Sequence, residues 1–188
     1  MLKNVAVFAS GNGSNFQAII DAMNNKELAI SIKILVCNND DAYAINRAIE
    51  NDIDVILIDY KKYSSYEIES MLVAKLKELK IDYILLAGFM RKLTPLFISS
   101  YRNRIINIHP SLLPKYKGLH AIEQALDNGD NEIGVSVHFV DEKLDNGPII
   151  IQDSVDIKGL SSDDMYEKIH KLEHVLYVKA IKKVLEEA

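Results

Sequence analysis

Four short apolar runs, each separated from the next by a stretch with helical spacing, constrain this chain more than any other feature. Val5-Ala6-Val7-Phe8-Ala9 is apolar at every position, as a parallel strand covered on both faces requires. Residues 16–23 then read as a helix, 32–36 as a second buried strand, 42–50 as a helix and 55–58 as a third strand. Ser64 with Glu67 three residues on has the form of a capping box, and Ile68, Met71, Leu72, Leu76 and Leu79 carry that helix to about residue 80. Residues 83–87 and 104–108 read as strands four and five, and 119–128 as a helix ended by Gly129. Residues 134–140 alternate, with Val135, Val137 and Phe139 on one face, and 148–151 continue after a turn as a further strand of antiparallel type. Ser161 and Asp164 form another cap, after which Met165, Ile169, Leu172, Leu176 and Val184 give a long final helix with one buried stripe. The expected fold is α/β: a doubly wound, mostly parallel sheet with an antiparallel addition in the C-terminal half and a long C-terminal helix. Ligands of such sheets bind beyond the carboxyl ends of the strands, so the turns holding Gly13, Met90 and His109 are expected to converge.

At 188 residues the chain is expected to form a single domain, 1–188, with a Rossmann-like half over about 1–100 and a second half over about 101–188. Hydrophobic residues at 48% and charged residues at 26% are ordinary globular values. A formal net charge of -5 argues against a general nucleic-acid surface, which needs a basic face. Cys37 is the only cysteine, so no intrachain disulfide forms and a cytoplasmic setting is expected. No stretch approaches the ~20 apolar residues of a membrane span, and no membrane partner is expected.

Asn107-Ile108-His109-Pro110-Ser111-Leu112-Leu113-Pro114 is the candidate stretch for chemistry. Alternate side chains of a strand share a face, so Asn107 and His109 point together into one cavity, the first an uncharged donor and the second a donor that can carry a proton. That pairing suits an oxyanion. A strand-ending histidine and a turn-satisfying asparagine are the plainer alternative. Ser10-Gly11-Asn12-Gly13-Ser14-Asn15 lies where strand one passes to its helix, where free N–H groups and the helix dipole favour an anion. It is no P-loop, since no Gly-Lys-Ser/Thr follows, and Phe16 stands where a dinucleotide fingerprint has its third glycine. A single phosphate fits it, as does a turn that needs glycine only for its dihedrals. Asp145-Asn146-Gly147-Pro148 is a strong turn signal. His170-Lys171-Leu172-Glu173-His174 matches H-x-x-E-H but lies on an ordinary core-striped helix, and no metal is expected there. His138, among apolar neighbours on a strand, reads as structural.

Together with Gly11-Asn12-Gly13-Ser14-Asn15, Ala87-Gly88-Phe89-Met90-Arg91 and Leu144-Asp145-Asn146-Gly147-Pro148, the segment around His109 resembles the formyltransferases that use 10-formyltetrahydrofolate, over essentially the whole chain. Within that family the likeness is to members that formylate the amine of 5'-phosphoribosylglycinamide in purine biosynthesis. The resemblance implies Asn107, His109 and Asp145 as catalytic residues, with Asp145 facing His109. It implies Gly13, Ser14 and Asn15 at the substrate phosphate and Glu173, with His170 nearby, at the ribose, and the family often keeps a histidine at the position of His138. Met90, Arg91, Lys92, Leu93 and Asn107 would meet the folate, walled by Leu86 and Val140. One departure is Ser65, where relatives tend to carry a basic residue; Lys61 or Lys62 is the expected substitute. Residues 115–118 are a candidate flap with Gly118 as a hinge. The implied partners are small molecules, with the protein a monomer or homodimer. Formyltetrahydrofolate hydrolases and methionyl-tRNA formyltransferases resemble it too but carry an added domain that these 188 residues lack. A noncatalytic nucleotide-binding module on the same fold is the remaining alternative.

Overall fold

The computed structural model describes residues 2–187. In chain order its elements are β1 (Lys3–Ala9), α1 (Ser14–Asn24), β2 (Ile30–Cys37), α2 (Tyr43–Glu50), β3 (Asp54–Leu57), α3 (Ser65–Glu78), β4 (Tyr83–Leu86), α4 (Pro95–Ser100), β5 (Ile105–His109), α5 (Ala121–Asp127), β6 (Glu132–Phe139), β7 (Ile149–Asp156) and α6 (Ser162–Glu186). They build one seven-stranded sheet of order β3-β2-β1-β4-β5-β6-β7. The first five strands are parallel, whereas β6 runs antiparallel to β5 and β7 antiparallel to β6.

Strand alternation sorts the core into two layers. Val5, Val7 and Ala9 of β1 face one cluster with Phe16 and Ile20 of α1 and Leu176 and Tyr177 of α6. Ala6 and Phe8 face the other, with Leu72 of α3 and Phe97 of α4. On β5, Ile106 and Ile108 join the first layer and Ile105 the second. By the same alternation Asn107 and His109 fall on the α3–α4 side, just past the point where apolar filling ends. The Tyr177 hydroxyl of α6 lies 2.9 Å from Leu86 O and 3.0 Å from Ile106 O, pinning that helix beneath the ends of β4 and β5.

The caps read from the sequence are present: Ser64 and Glu67 make a complete capping box on α3, and Ser161 accepts from the Asp164 amide at the start of α6. Three boundaries need correction. The short α4 is absent from the sequence reading, although Thr94 caps it and Pro95 fills its first turn, an arrangement suited to a helix start. The helix expected over 119–128 begins only at Ala121, because His120 turns left-handed with φ 60°. The last strand runs on to Asp156 through Gln152, Asp153 and Ser154, which an edge strand paired only with β6 tolerates.

Candidate active site

Asn107 and His109 occupy the C-terminal end of β5, which is an interior strand held between β4 and β6. Antiparallel pairing puts His138 of β6 directly opposite Asn107, and Ser136 opposite His109. The polar alternates of β6 therefore share a face with the catalytic candidates. His138, read as structural from its apolar neighbours, belongs to the site. Its Nε2 is 3.2 Å from Asn107 Nδ2 and 3.6 Å from Asp145 Oδ1. Its Nδ1 is 2.9 Å from Phe139 O, an acceptor, so Nδ1 carries a hydrogen and Nε2 is the atom that accepts from the Asn107 amide. That bond fixes which end of the amide is nitrogen and leaves its second N–H free.

The same reasoning assigns His109. Its Nε2 lies 2.8 Å from the Tyr116 carbonyl oxygen and must donate to it, so Nδ1 is the nitrogen that takes up or gives a proton. Nδ1 is 3.6 Å from Asp145 Oδ2, close for two charges and too long for a direct hydrogen bond. Asp145 thus lies 3.6 Å from both imidazoles, with Oδ2 also accepting from Gly118 N at 2.8 Å. Burial pushes its carboxyl up. The neighbouring His138 imidazole, the Gly118 amide and the His109 imidazole outweigh that push and hold it below the usual carboxylate range. Its φ of 45° is uncommon for a residue other than glycine, and such backbone persists where the surroundings over-determine it.

Residues 110–118 wrap this cluster. His109 and Asp145 each hold one end of the 115–118 segment through Tyr116 O and Gly118 N, and the Tyr116 hydroxyl donates to Asp130 at 2.9 Å. A side chain at Gly134 would meet Leu112 Cγ at 2.1 Å, so glycine on β6 is what lets the segment pack against the sheet.

Asn107, His109, His138 and Asp145 open on a cavity of about 410 Å³ that Met90, Arg91, Lys92 and Leu93 also line, with Leu86 and Val140 in its wall. The volume suits a drug-sized ligand. Arg91 stacks over the Tyr60 ring at 4.8 Å. Burial, and then the charge of Glu69, push the Tyr60 hydroxyl up to about 12 against the opposing pull of Arg91. Neither Lys61 nor Lys62 lines the cavity; both are exposed, and Lys62 pairs with Asp59 at 3.5 Å.

The glycine-rich turn adjoins this cavity through Ser10, whose N–H reaches Gly88 O at 3.1 Å and whose Oγ accepts from Met90 N at 2.8 Å. Gly13 is the left-handed residue before α1, with φ 76°, and no side chain caps that helix. The first-turn amides of Ser14, Asn15 and Phe16 consequently have no intrahelical partner. A Cβ on Gly13 would sit 2.8 Å from Ala44 Cβ of α2. From the same helix Arg47 donates to Asn12 O at 2.9 Å and Asn12 Oδ1 at 3.0 Å. Asn15 Nδ2 reaches Glu173 Oε2 at 3.5 Å, bringing α6 to the turn, and His170 Nδ1 binds the same oxygen at 2.8 Å. The hydrogen bond to Glu173, with its charge, outweighs burial and raises His170 above the usual histidine value.

Of the H-x-x-E-H residues, His170 and His174 stack with ring centroids 6.4 Å apart, while Glu173 is engaged by His170 and Asn15. Among the described residues no group of three or more His, Cys, Asp or Glu is disposed around a metal position. No helix there is long and apolar enough to cross a membrane.

Comparison with known proteins places the chain in a family. Residues 3–181 match the family described as Formyl transferase. The chain is 43% identical over 176 residues to the phosphoribosylglycinamide formyltransferase of Escherichia coli K12, covering 93% of this chain and 83% of that protein. It is 39% identical over 186 residues to the enzyme of the same name from Bacillus subtilis, covering 98% and 95% respectively. The crystal structure of glycinamide ribonucleotide transformylase 1 from Geobacillus kaustophilus superposes with a TM-score of 0.94 at 43% identity, over 98% of this chain and all of that one. By sequence, fold and the residues gathered at its sheet's carboxyl edge, this chain belongs to the formyl transferase family.

Proposed function

We infer that this protein transfers the formyl group of 10-formyltetrahydrofolate to the primary amine of 5'-phosphoribosylglycinamide, giving the formylated glycinamide ribonucleotide and tetrahydrofolate in purine biosynthesis. The observation that carries the reading is the meeting of Asn107, His109, His138 and Asp145 at one end of a cavity large enough for a folate head, beside a turn with free amides. In this reading the acceptor's phosphate lies on the turn at Gly13, Ser14 and Asn15, and Glu173 accepts from its ribose hydroxyls. The folate ring lies against residues 90–93. Both substrates then present their reacting nitrogens near Asn107 and His109.

The amine lone pair attacks the formyl carbon, and the carbonyl π electrons move onto oxygen. The resulting oxyanion receives hydrogen bonds from the free N–H of Asn107 and from protonated Nδ1 of His109. As the intermediate collapses, the bond from carbon to the folate nitrogen breaks and its electron pair returns to that nitrogen, which gains the proton the amine loses. His109 Nδ1, with the Asp145 carboxylate facing it, is placed to pass that proton. His138 sets the Asn107 amide, and the Tyr116 carbonyl sets the His109 tautomer.

The test is to mix the purified chain with 10-formyltetrahydrofolate, with and without phosphoribosylglycinamide, and follow loss of the donor together with formate. Acceptor-dependent loss without formate is expected. Formate release regardless of acceptor, or no loss of donor, would overturn the reading.

A further inference from the structure

Glu69 of α3 is a carboxylic acid with no exposed surface, and no step of the formyl transfer uses it. One of its oxygens, Oε2, accepts both from the Thr94 amide at 2.8 Å and from the Thr94 hydroxyl. The other, Oε1, has no hydrogen-bond partner among the described residues. A buried acid at the second turn of an otherwise ordinary amphipathic helix costs stability unless its bonds return something. Both of these bonds go to one residue, and that residue ends the segment lining the proposed donor cavity.

Residues 89–94 belong to no helix or strand, so their backbone course depends on its anchors. At the start, Met90 N is held by Ser10 Oγ. At the end, Thr94 is held by Glu69, and Thr94 also caps α4 by accepting from Phe97 N. Tyr60, whose ring carries the Arg91 guanidinium, has a buried hydroxyl with no hydrogen-bond partner among the described residues. Segment 90–93 is therefore suspended between two side-chain anchors, one on the phosphate-turn side and one on α3.

We propose that Glu69 is a positioning residue for the formyl-donor pocket: by binding both polar groups of Thr94 it ties α3 to the end of segment 90–93 and holds that backbone where the folate ring meets it. The proposal rests on the reading of the cavity as the donor site. It assigns Glu69 an effect on one substrate, since the acceptor's contacts lie on the glycine-rich turn and α6.

The experiment compares Glu69→Leu, Glu69→Gln and Thr94→Val with the unaltered protein in two measurements. The first is amide hydrogen exchange over residues 89–94 without ligand, which needs no catalytic activity. The second is steady-state KM for 10-formyltetrahydrofolate and for phosphoribosylglycinamide separately. Expected are faster exchange over 89–94, joined in Thr94→Val by the first turn of α4 that loses its cap, and a roughly tenfold higher KM for the donor in Glu69→Leu and Thr94→Val, the scale of a lost hydrogen bond to a charged group, with the acceptor KM within about twofold. Glu69→Gln keeps an acceptor for Thr94 and is expected to recover most of the loss. If Glu69→Leu fails to fold, Thr94→Val decides. Unchanged exchange and donor KM in a folded Thr94→Val would overturn the proposal, as would equal rises in both KM values. Absence of turnover in the unaltered protein would instead refute the functional reading, and exchange alone would then decide whether Glu69 holds the segment.

Discussion

Asp145→Asn isolates what a single negative charge contributes to this site. Asparagine keeps the size of the side chain and an oxygen to accept from Gly118 N, so the tie to segment 115–118 survives while the charge is lost. The carboxylate lies 3.6 Å from Nδ1 of His109, and both side chains are about 8% exposed. At an effective dielectric of about 20, unit charges at that separation attract by roughly 4 to 5 kcal/mol. The attraction acts whenever His109 carries the proton that the oxyanion and the leaving nitrogen need. It is therefore a transition-state contribution rather than one to substrate binding, and at about 1.4 kcal/mol per decade it corresponds to a fall in kcat on the order of 10³-fold.

The decisive assay is single-turnover formyl transfer with both substrates saturating, paired with calorimetric binding of phosphoribosylglycinamide. The expected result is the large loss in rate with acceptor affinity within about threefold of the unaltered protein. A loss of less than about tenfold in rate would refute the assignment of the charge to His109. A parallel collapse of acceptor binding would show that the side chain acts by holding the site together. Acid denaturation supplies an independent check. Because the carboxyl of Asp145 lies below its ordinary value in the folded protein, its stabilising contribution is complete above the unfolded value of about 3.9 and lost as pH falls through the folded value. Asp145→Asn should flatten the stability profile in that acid range and leave its shape near neutrality unaltered, as read by urea melts across pH.

His138→Phe removes the acceptor that orients the Asn107 amide and should lower kcat by on the order of 10²-fold with little change in either KM; near-normal kcat in a folded variant would separate His138 from the reaction. Gly13→Ala forces a Cβ to within 2.8 Å of Ala44 Cβ at a φ of 76°, and it should cost roughly 1–3 kcal/mol of stability and raise the acceptor KM more than the donor KM; an unchanged thermal midpoint would contradict the packing. His170, raised by Glu173, contributes stability that is complete below its unfolded value of about 6.5 and lost as pH rises through the folded value. His170→Ala should therefore remove a decline in stability above that pH, and denaturant melts at pH 6 and pH 9 that fall equally in both proteins would exclude the linkage.

The parts of this fold that were legible in the sequence are those whose signal is local. The apolar run of β1, the capping box at Ser64 and the helical stripe of α6 are each set by neighbours within a few residues, and each appears within a few residues of its expected place. The helix α4 was not legible, because six residues are too few to show a period and only the Thr94-Pro95 start signal marked it. The geometry of the site divides in the same way. Alternation along β5 is enough to put Asn107 and His109 on one face, and their family motif named Asp145. His138 needed a non-local fact: the β5–β6 register, which sets it against Asn107. With Val137 and Phe139 on either side, a periodicity argument sees an apolar strand and assigns its histidine to the core. The sequence signal that was available is the alternation itself, since Gly134, Ser136 and His138 fall opposite the apolar series on a strand that has no solvent face. A strand whose polar alternates are all buried must be supplying them to something. The Tyr116 carbonyl lies beyond even that argument, because every residue has one and only the folded path of segment 110–118 brings this one to His109. The tautomer that gives Nδ1 its part in the proposed transfer is thus written in backbone geometry, and residue types alone could nominate His109 as an acid–base candidate without saying which of its atoms would serve.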